Sequence, residues 1–208
     1  MCGVAAQGCF IHLAAMSVWR LDQFQARARR ERIKMKILIV YASVEGQTAK
    51  IADFAAECIT QAGHDVVLAN ADDPATIDFQ NTDAVVLAAP VHQRMHPKTF
   101  EAFIEASKSA LAQHRTLLIS VSLSAAFPEG LNDAEKYIEE LKTRTGFEPD
   151  AELMVAGAVR ITQYDYFAMQ LIQHVVLRDR DYDVSAGEQE FTDWKALKAG
   201  VSEFLEGL

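Results

Sequence analysis

The sequence predicts a doubly wound α/β domain: a five-stranded parallel sheet with helices on both faces. Three observations carry that prediction. Five short runs are largely apolar, and the first, Ile37–Tyr41, is continuously apolar and β-branched, the mark of a strand buried on both faces. Helical apolar spacing follows most of these runs. The resulting alternation of strand and helix leaves a parallel sheet with right-handed crossovers as the expected topology.

The first strand is Ile37-Leu38-Ile39-Val40-Tyr41, read as central because no polar residue interrupts it. From Gln47 to Ala62 the residues Ile51, Ala52, Ala55, Cys58, Ile59 and Ala62 recur at three and four, and Gly63 stops the pattern as a glycine just past a helix would. Asp65–Ala69 is the second strand and Ala84–Ala89 the third, ended by Pro90. Phe100, Phe103, Ile104 and Leu111 mark the next helix, and Thr116–Val121 the fourth strand. Asn132-Asp133-Ala134-Glu135 reads as a capping box opening a helix through Leu141. Glu152–Gly157 supplies the fifth strand, and Trp194, Leu197, Val201 and Leu205 lie on one stripe of a last helix from about Thr192. Residues from about 160 to 190 form too long a stretch for an ordinary connection, so they are read as an insertion.

A chain of 208 residues can bury one self-sufficient core without a metal or cystine staple. Its net charge of −9 argues against a nucleic-acid partner, because phosphate-backbone binding needs a basic footprint. That charge is uneven: residues 1–34 carry six basic groups against two acids, so residues 35–208 sum to −13. Met1–Trp19 is largely apolar but broken by Gln7 and His12, with no basic residues ahead of it, so neither a signal peptide nor a membrane span is read there. Met35 opens Met35-Lys36-Ile37-Leu38-Ile39-Val40 like a natural beginning. The expectation is a domain over 35–208 preceded by a basic extension, 1–34, that is a disordered tail, a surface anchor or the product of a misassigned start. Cys2, Cys9 and Cys58 form no C-x-x-C pair, which points to a reducing cytoplasm, with Cys58 packed in the core.

In an open α/β sheet a ligand lies at the carboxyl ends of the strands, which directs attention to the loops after strands one, three and four. The first, Ala42-Ser43-Val44-Glu45-Gly46-Gln47-Thr48, places two hydroxyls around a glycine at a helix start. Such a loop can wrap a phosphate without a lysine, though Ser43 and Thr48 suit a plain capping turn equally. Neither a G-x-x-x-x-G-K-[ST] nor a G-x-G-x-x-G pattern follows the strand, which excludes the Walker and dinucleotide readings. A phosphoacceptor receiver domain needs acids where this chain has Tyr41-Ala42-Ser43 and Pro90. His92 and His96 are four apart on a loop with no evident third ligand, so no metal is expected.

Ile39, Val40, Tyr41, Ser43, Gly46, Thr48 and Ala52 match the flavodoxin superfamily's pattern of two apolar residues, an aromatic, Ser/Thr, Gly, Thr and a following Ala. The sequence resembles that superfamily over nearly all of 35–208, and the resemblance implies FMN as cofactor. It puts the phosphate on Ser43, Val44, Glu45, Gly46, Gln47 and Thr48. It puts the isoalloxazine between Pro90, Val91, His92, Gln93, Arg94, Met95 and His96 on one side and Ser122, Leu123 and Ser124 on the other.

A closer likeness is carried by Glu45-Gly46-Gln47-Thr48, by Ala156-Gly157-Ala158-Val159-Arg160 with Tyr164-Asp165-Tyr166-Phe167, and by Phe191-Thr192-Asp193-Trp194. These look like the bacterial quinone-dependent protoporphyrinogen dehydrogenases, flavodoxin-fold FMN enzymes of porphyrin and haem biosynthesis with an insertion in this place. That likeness implies an oxidoreductase that oxidises a porphyrinogen and passes electrons to quinone, with Arg160 pairing a substrate propionate. The apolar stripe Phe167, Leu171, Ile172, Val175 and Val176 is then either a packed helix or a peripheral membrane contact through 164–178. A flavodoxin-type electron carrier, suited to the acidic domain, is the competing function. Catalytic residues and oligomeric state are left open.

Overall fold

The structure, a computed structural model, describes residues 34–160 and 188–208. Five strands, β1 (Lys36–Tyr41), β2 (Asp65–Asn70), β3 (Ala84–Pro90), β4 (Arg115–Ser122) and β5 (Ala151–Ala156), form one sheet in the order β2-β1-β3-β4-β5. Every pairing in it is parallel. The helices are α1 (Gln47–Gln61), α2 (Lys98–Leu111), α3 (Leu131–Thr145) and α4 (Trp194–Glu206).

Because strand side chains alternate between faces, the continuous apolar runs feed two cores. Ile37, Ile39, Val86, Ala88, Leu117 and Ile119 pack with Ile51, Ile59, Leu197 and Val201 from α1 and α4. Leu38, Val40, Val85, Leu87 and Leu118 pack with Phe100, Ile104, Ile138 and Leu141 from α2 and α3. All seven residues of β3 are buried, which accounts for its lack of any polar residue. Cys58 is buried in the first of these cores.

α1 ends as its sequence implies, with Gly63 at φ 98 just beyond it. α3 does not begin as expected. It starts at Leu131 behind Gly130, has no side-chain cap, and draws Asn132 into its first turn. The reason is steric: the 3₁₀ turn Pro128–Gly130 leads directly into the helix, and a Cβ at Gly130 would collide with the Ser124 carbonyl. The helix also runs past Leu141 to Thr145, where Gly146 closes it at φ 60 and donates to the Lys142 carbonyl at 2.7 Å. α4 starts at Trp194, the first residue of its stripe and two residues after the expected start at about Thr192, because Asp193 caps it by accepting from the amides of Lys195 (3.0 Å) and Ala196 (2.9 Å).

The insertion leaves the domain through β6 (Ala158–Arg160) and returns through β7 (Glu188–Glu190), two short strands paired antiparallel. The stripe from Phe167 to Val176 and the proposed contact segment 164–178 lie outside the described residues.

Candidate functional site

The loops after β1, β3 and β4 converge on one open cleft at the carboxyl edge of the sheet. It is lined by Glu45, Gln47, Thr48, Pro90, Val91, His92, Ser122 and Leu123 of the expected residues, joined by Val121, Gly157, Ala158 and Val159. A larger groove of about 420 Å³ lies between the segment after β2 and α2, lined by Ile77, Phe79 and Phe103 among others, and none of the three loops reaches it.

The first loop is organised by Ser43, whose Oγ accepts from the amides of Gly46 (3.0 Å) and Ala49 (3.4 Å). Gly46 sits at φ 90, a left-handed conformation that glycine adopts without a Cβ penalty, and it turns the chain into α1. α1 has no cap from the residue before it and no acid in its first turn, where Ser43 engages only the Ala49 amide. Its N-terminus therefore presents amide dipoles to an anion. Gln47 and Thr48 are 6% and 2% exposed, both on the cleft, whereas Val44 is 67% exposed and does not line it. Gln47 Nε2 donates to Thr192 Oγ1 at 2.8 Å, and its buried Oε1 has no partner.

The loop after β3 is a hairpin. His92 N–H donates to the Met95 carbonyl at 2.9 Å and Met95 N–H to the His92 carbonyl at 3.0 Å, with Gln93 at φ 49 and Arg94 at φ 68 between them. Two non-glycine residues in the left-handed region cost ~1 kcal/mol or more each. His92 faces the cleft, Met95 is exposed, and Arg94 leans outward over the Tyr137 ring at 5.7 Å and toward Asp133 at 3.9 Å. His96 turns inward, 2% exposed, with Nε2 3.0 Å from Ser120 Oγ and Nδ1 unpartnered. Burial, with the Arg144 charge adding to it, lowers its pKa to about 4.

After β4, Ser122 Oγ accepts from the Ala125 amide at 3.2 Å, and Ser124 Oγ lies 3.3 Å from Tyr137 OH. Arg94 and Ser124, expected at the ring, do not line the cleft; both contact Tyr137. The cleft floor that loop reasoning missed, Gly157–Val159, comes from the segment between β5 and the insertion. Arg160 follows it on β6.

Thr192-Asp193-Trp194 ties this floor to the first loop. Thr192 Oγ1 donates to the Ala156 carbonyl at 2.7 Å while accepting from Gln47, and Trp194 Nε1 donates to Glu190 Oε1 at 2.7 Å. Burial pushes the Glu190 carboxyl up, but Lys50, Trp194 and Gln47 outweigh it and hold the group below the ordinary carboxylate value. Lys50 closes the link with an ion pair to Glu190 at 2.8 Å.

The family model of the flavodoxin domain matches residues 38–185, more than half of the chain. The chain belongs to the flavodoxin-domain family. FMN is the cofactor of that family. This flavodoxin-domain chain is 25% identical to the protoporphyrinogen IX dehydrogenase [quinone] of Escherichia coli (strain K12) over 164 residues, covering 78% of this chain and 91% of that one. It is 24% identical over 173 residues to the protein of the same name from Leishmania major, covering 81% and 74%. Among solved structures, a short-chain flavodoxin associated with a bacterial microcompartment superposes with TM-score 0.52 at 12% identity, covering 83% of this chain and 98% of that one. Oxidised Flavodoxin 1 from Bacillus cereus superposes with TM-score 0.50 at 17% identity, covering 83% and 99%. These two likenesses are of fold.

Proposed function

We propose that the cleft holds FMN and that the chain is an FMN-dependent oxidoreductase which oxidises a porphyrinogen and delivers the electrons to quinone. The observation that carries the reading is the cleft itself, where the N-terminus of α1 meets the two loops that would flank a ring. The residues fit the group. The helix end and the Thr48 hydroxyl suit a dianionic phosphate, and the orphaned Gln47 Oε1 suits a donor on the ligand. When bound, FMN would supply a two-electron acceptor that the protein alone lacks.

The chain's own residues bind and orient. Ser43 holds the phosphate loop in shape, and Thr48 and the first-turn amides would hold the phosphate. Val91 and His92 on one side and Ser122 and Leu123 on the other would bound the ring. No proton-transfer triad is needed for such work. Arg160, which follows the cleft floor, is the proposed partner of a substrate propionate. The substrate and acceptor rest on the two named relatives, whose likeness runs over most of this chain. Among the described residues no helix is long and apolar enough to cross a membrane. We propose separately that quinone would be met peripherally, at the cytoplasmic face of the membrane, through 164–178.

The net charge of −13 on residues 35–208 favours a second reading, an acidic electron carrier that docks on a basic partner. An anaerobic assay of porphyrinogen oxidation, run with and without quinone on protein whose flavin content is measured, decides between them. Quinone-dependent oxidation supports the enzyme. Flavin-loaded protein inert toward porphyrinogen leaves the carrier, and protein that takes up no FMN removes both.

A further inference from the structure

We propose that His96 is a positioning residue: through Ser120 it fixes the His92–Met95 hairpin as the wall against which the cofactor's ring packs. This rests on the reading of the cleft as an FMN site. Gln93 and Arg94 occupy the two left-handed positions of the hairpin turn, and neither is the Gly, Asn or Asp that such a turn prefers. The turn therefore does not specify itself, and its surroundings must hold it.

Two anchors on β4 do so. On the entering side Val91 N–H donates to the Val121 carbonyl at 2.7 Å. On the leaving side His96 Nε2 lies 3.0 Å from Ser120 Oγ. Ser120 and Val121 are adjacent, so both limbs of the hairpin are referenced to one point of a central strand. The opposite wall, Ser122 and Leu123, continues from that same strand. The width of the slot is thereby set by β4 and not by two independent loops.

Space-filling alone does not account for an imidazole here. Its buried Nδ1 has no partner, a cost that an apolar side chain of similar size would not carry. The Nε2 contact to Ser120 is what the polar ring provides. With Nε2–H donating to Ser120 Oγ, Nδ1 keeps only a lone pair, and protonating it would bury a charge without an acceptor. Around the ring, α2 contributes Phe100 at 6.3 Å and β4 contributes Ser120. The nearby charge, Arg144 of α3, is engaged with Glu101 of α2 at 2.7 Å and with Glu140 at 3.2 Å, so neither of these carboxylates is free to compensate an imidazolium.

The test uses the full chain as His96→Leu, which keeps the volume and removes the link, and as His96→Gln, whose amide can still reach Ser120. Trypsin cleavage of the Arg94–Met95 bond, mapped by mass spectrometry on flavin-free protein, reads the hairpin. Titrations with FMN and riboflavin, and competition by inorganic phosphate, read the wall. In His96→Leu the expected result is about tenfold faster cleavage at Arg94 and about tenfold weaker binding of both flavins, with phosphate competing as before. His96→Gln should restore most of each. Unchanged cleavage and flavin affinity in His96→Leu overturns the proposal, as does equal loss in both variants or a loss seen with FMN but not riboflavin. Wild-type protein that takes up neither flavin sinks the FMN reading, while cleavage at Arg94 still upholds or overturns His96 as the hairpin's anchor. Should His96→Leu fail to fold, Ser120→Ala removes the same link from the strand side and is read the same way.

Discussion

Ser43 and Thr48 belong to one loop but do different work. The Ser43 hydroxyl is already engaged by the amides of Gly46 and Ala49, whereas Thr48 lines the cleft. Thr48→Ala should therefore weaken FMN by ~1.5–3 kcal/mol, the range for a hydrogen bond to a charged group, and leave riboflavin unchanged. Ser43→Ala should lower stability by ~1 kcal/mol as well as FMN affinity. Parallel titrations and melts of the two variants check this division. Both hydroxyls were legible in the sequence from their spacing around Gly46. Their separate roles were not, because a hydroxyl's partner depends on the path of the backbone, here turned through a left-handed Gly46.

At the same scale, acid should loosen the molecule through His96. Its pKa falls from 6.5 to about 4 on folding, with burial as the larger cause and the Arg144 charge adding to it. Between those values the unfolded chain binds more protons than the folded one. The His96 contribution to stability is then complete above about pH 6.5 and is lost progressively as pH falls toward 4, by ~3 kcal/mol. Urea melts across that range should show the slope in the wild type and a flatter curve in His96→Gln.

At the scale of elements, the strands were readable because burial on both faces favours apolar residues; β3 and β1 after Lys36 are uninterrupted, while β4 keeps Thr116, Ser120 and Ser122 buried among its apolar residues. Helix starts were harder. The Asn132–Glu135 pattern has the composition of a capping box, yet α3 begins at Leu131, since the preceding turn brings Gly130 against the Ser124 carbonyl and leaves no room for a capping side chain. Packing between two turns distant from the helix interior overrode a local signal. Gly130→Ala should accordingly cost ~1–3 kcal/mol, the range for forced overpacking. Because the displaced carbonyl belongs to the loop after β4, riboflavin affinity should fall with it while inorganic phosphate competes normally. Asp193, by contrast, caps α4 through two amides, and Asp193→Ala should lower stability by ~1 kcal/mol without touching the ring slot.

The whole molecule shows why the site was only partly legible. The loops after β1, β3 and β4 could be located because sheet order alone brings their ends together. The motifs around Gln47, Ala156–Val159 and Thr192 stood out in the sequence, but their meeting did not, since they join segments as far apart as residues 47 and 192 through a register that no local pattern encodes. That closure leads to the last prediction. Every strand of the sheet, both cores and all the cleft residues lie within Met35–Leu208, which clusters as one compact unit. The basic excess of residues 1–34 offsets part of an acidic remainder. We expect residues 35–208, expressed alone, to fold cooperatively and to bind FMN with the affinity of the full chain. A truncated protein that is insoluble, or that loses flavin while the full chain retains it, would make the extension a structural part of the domain and shift the search for the membrane contact from 164–178 to the first 34 residues.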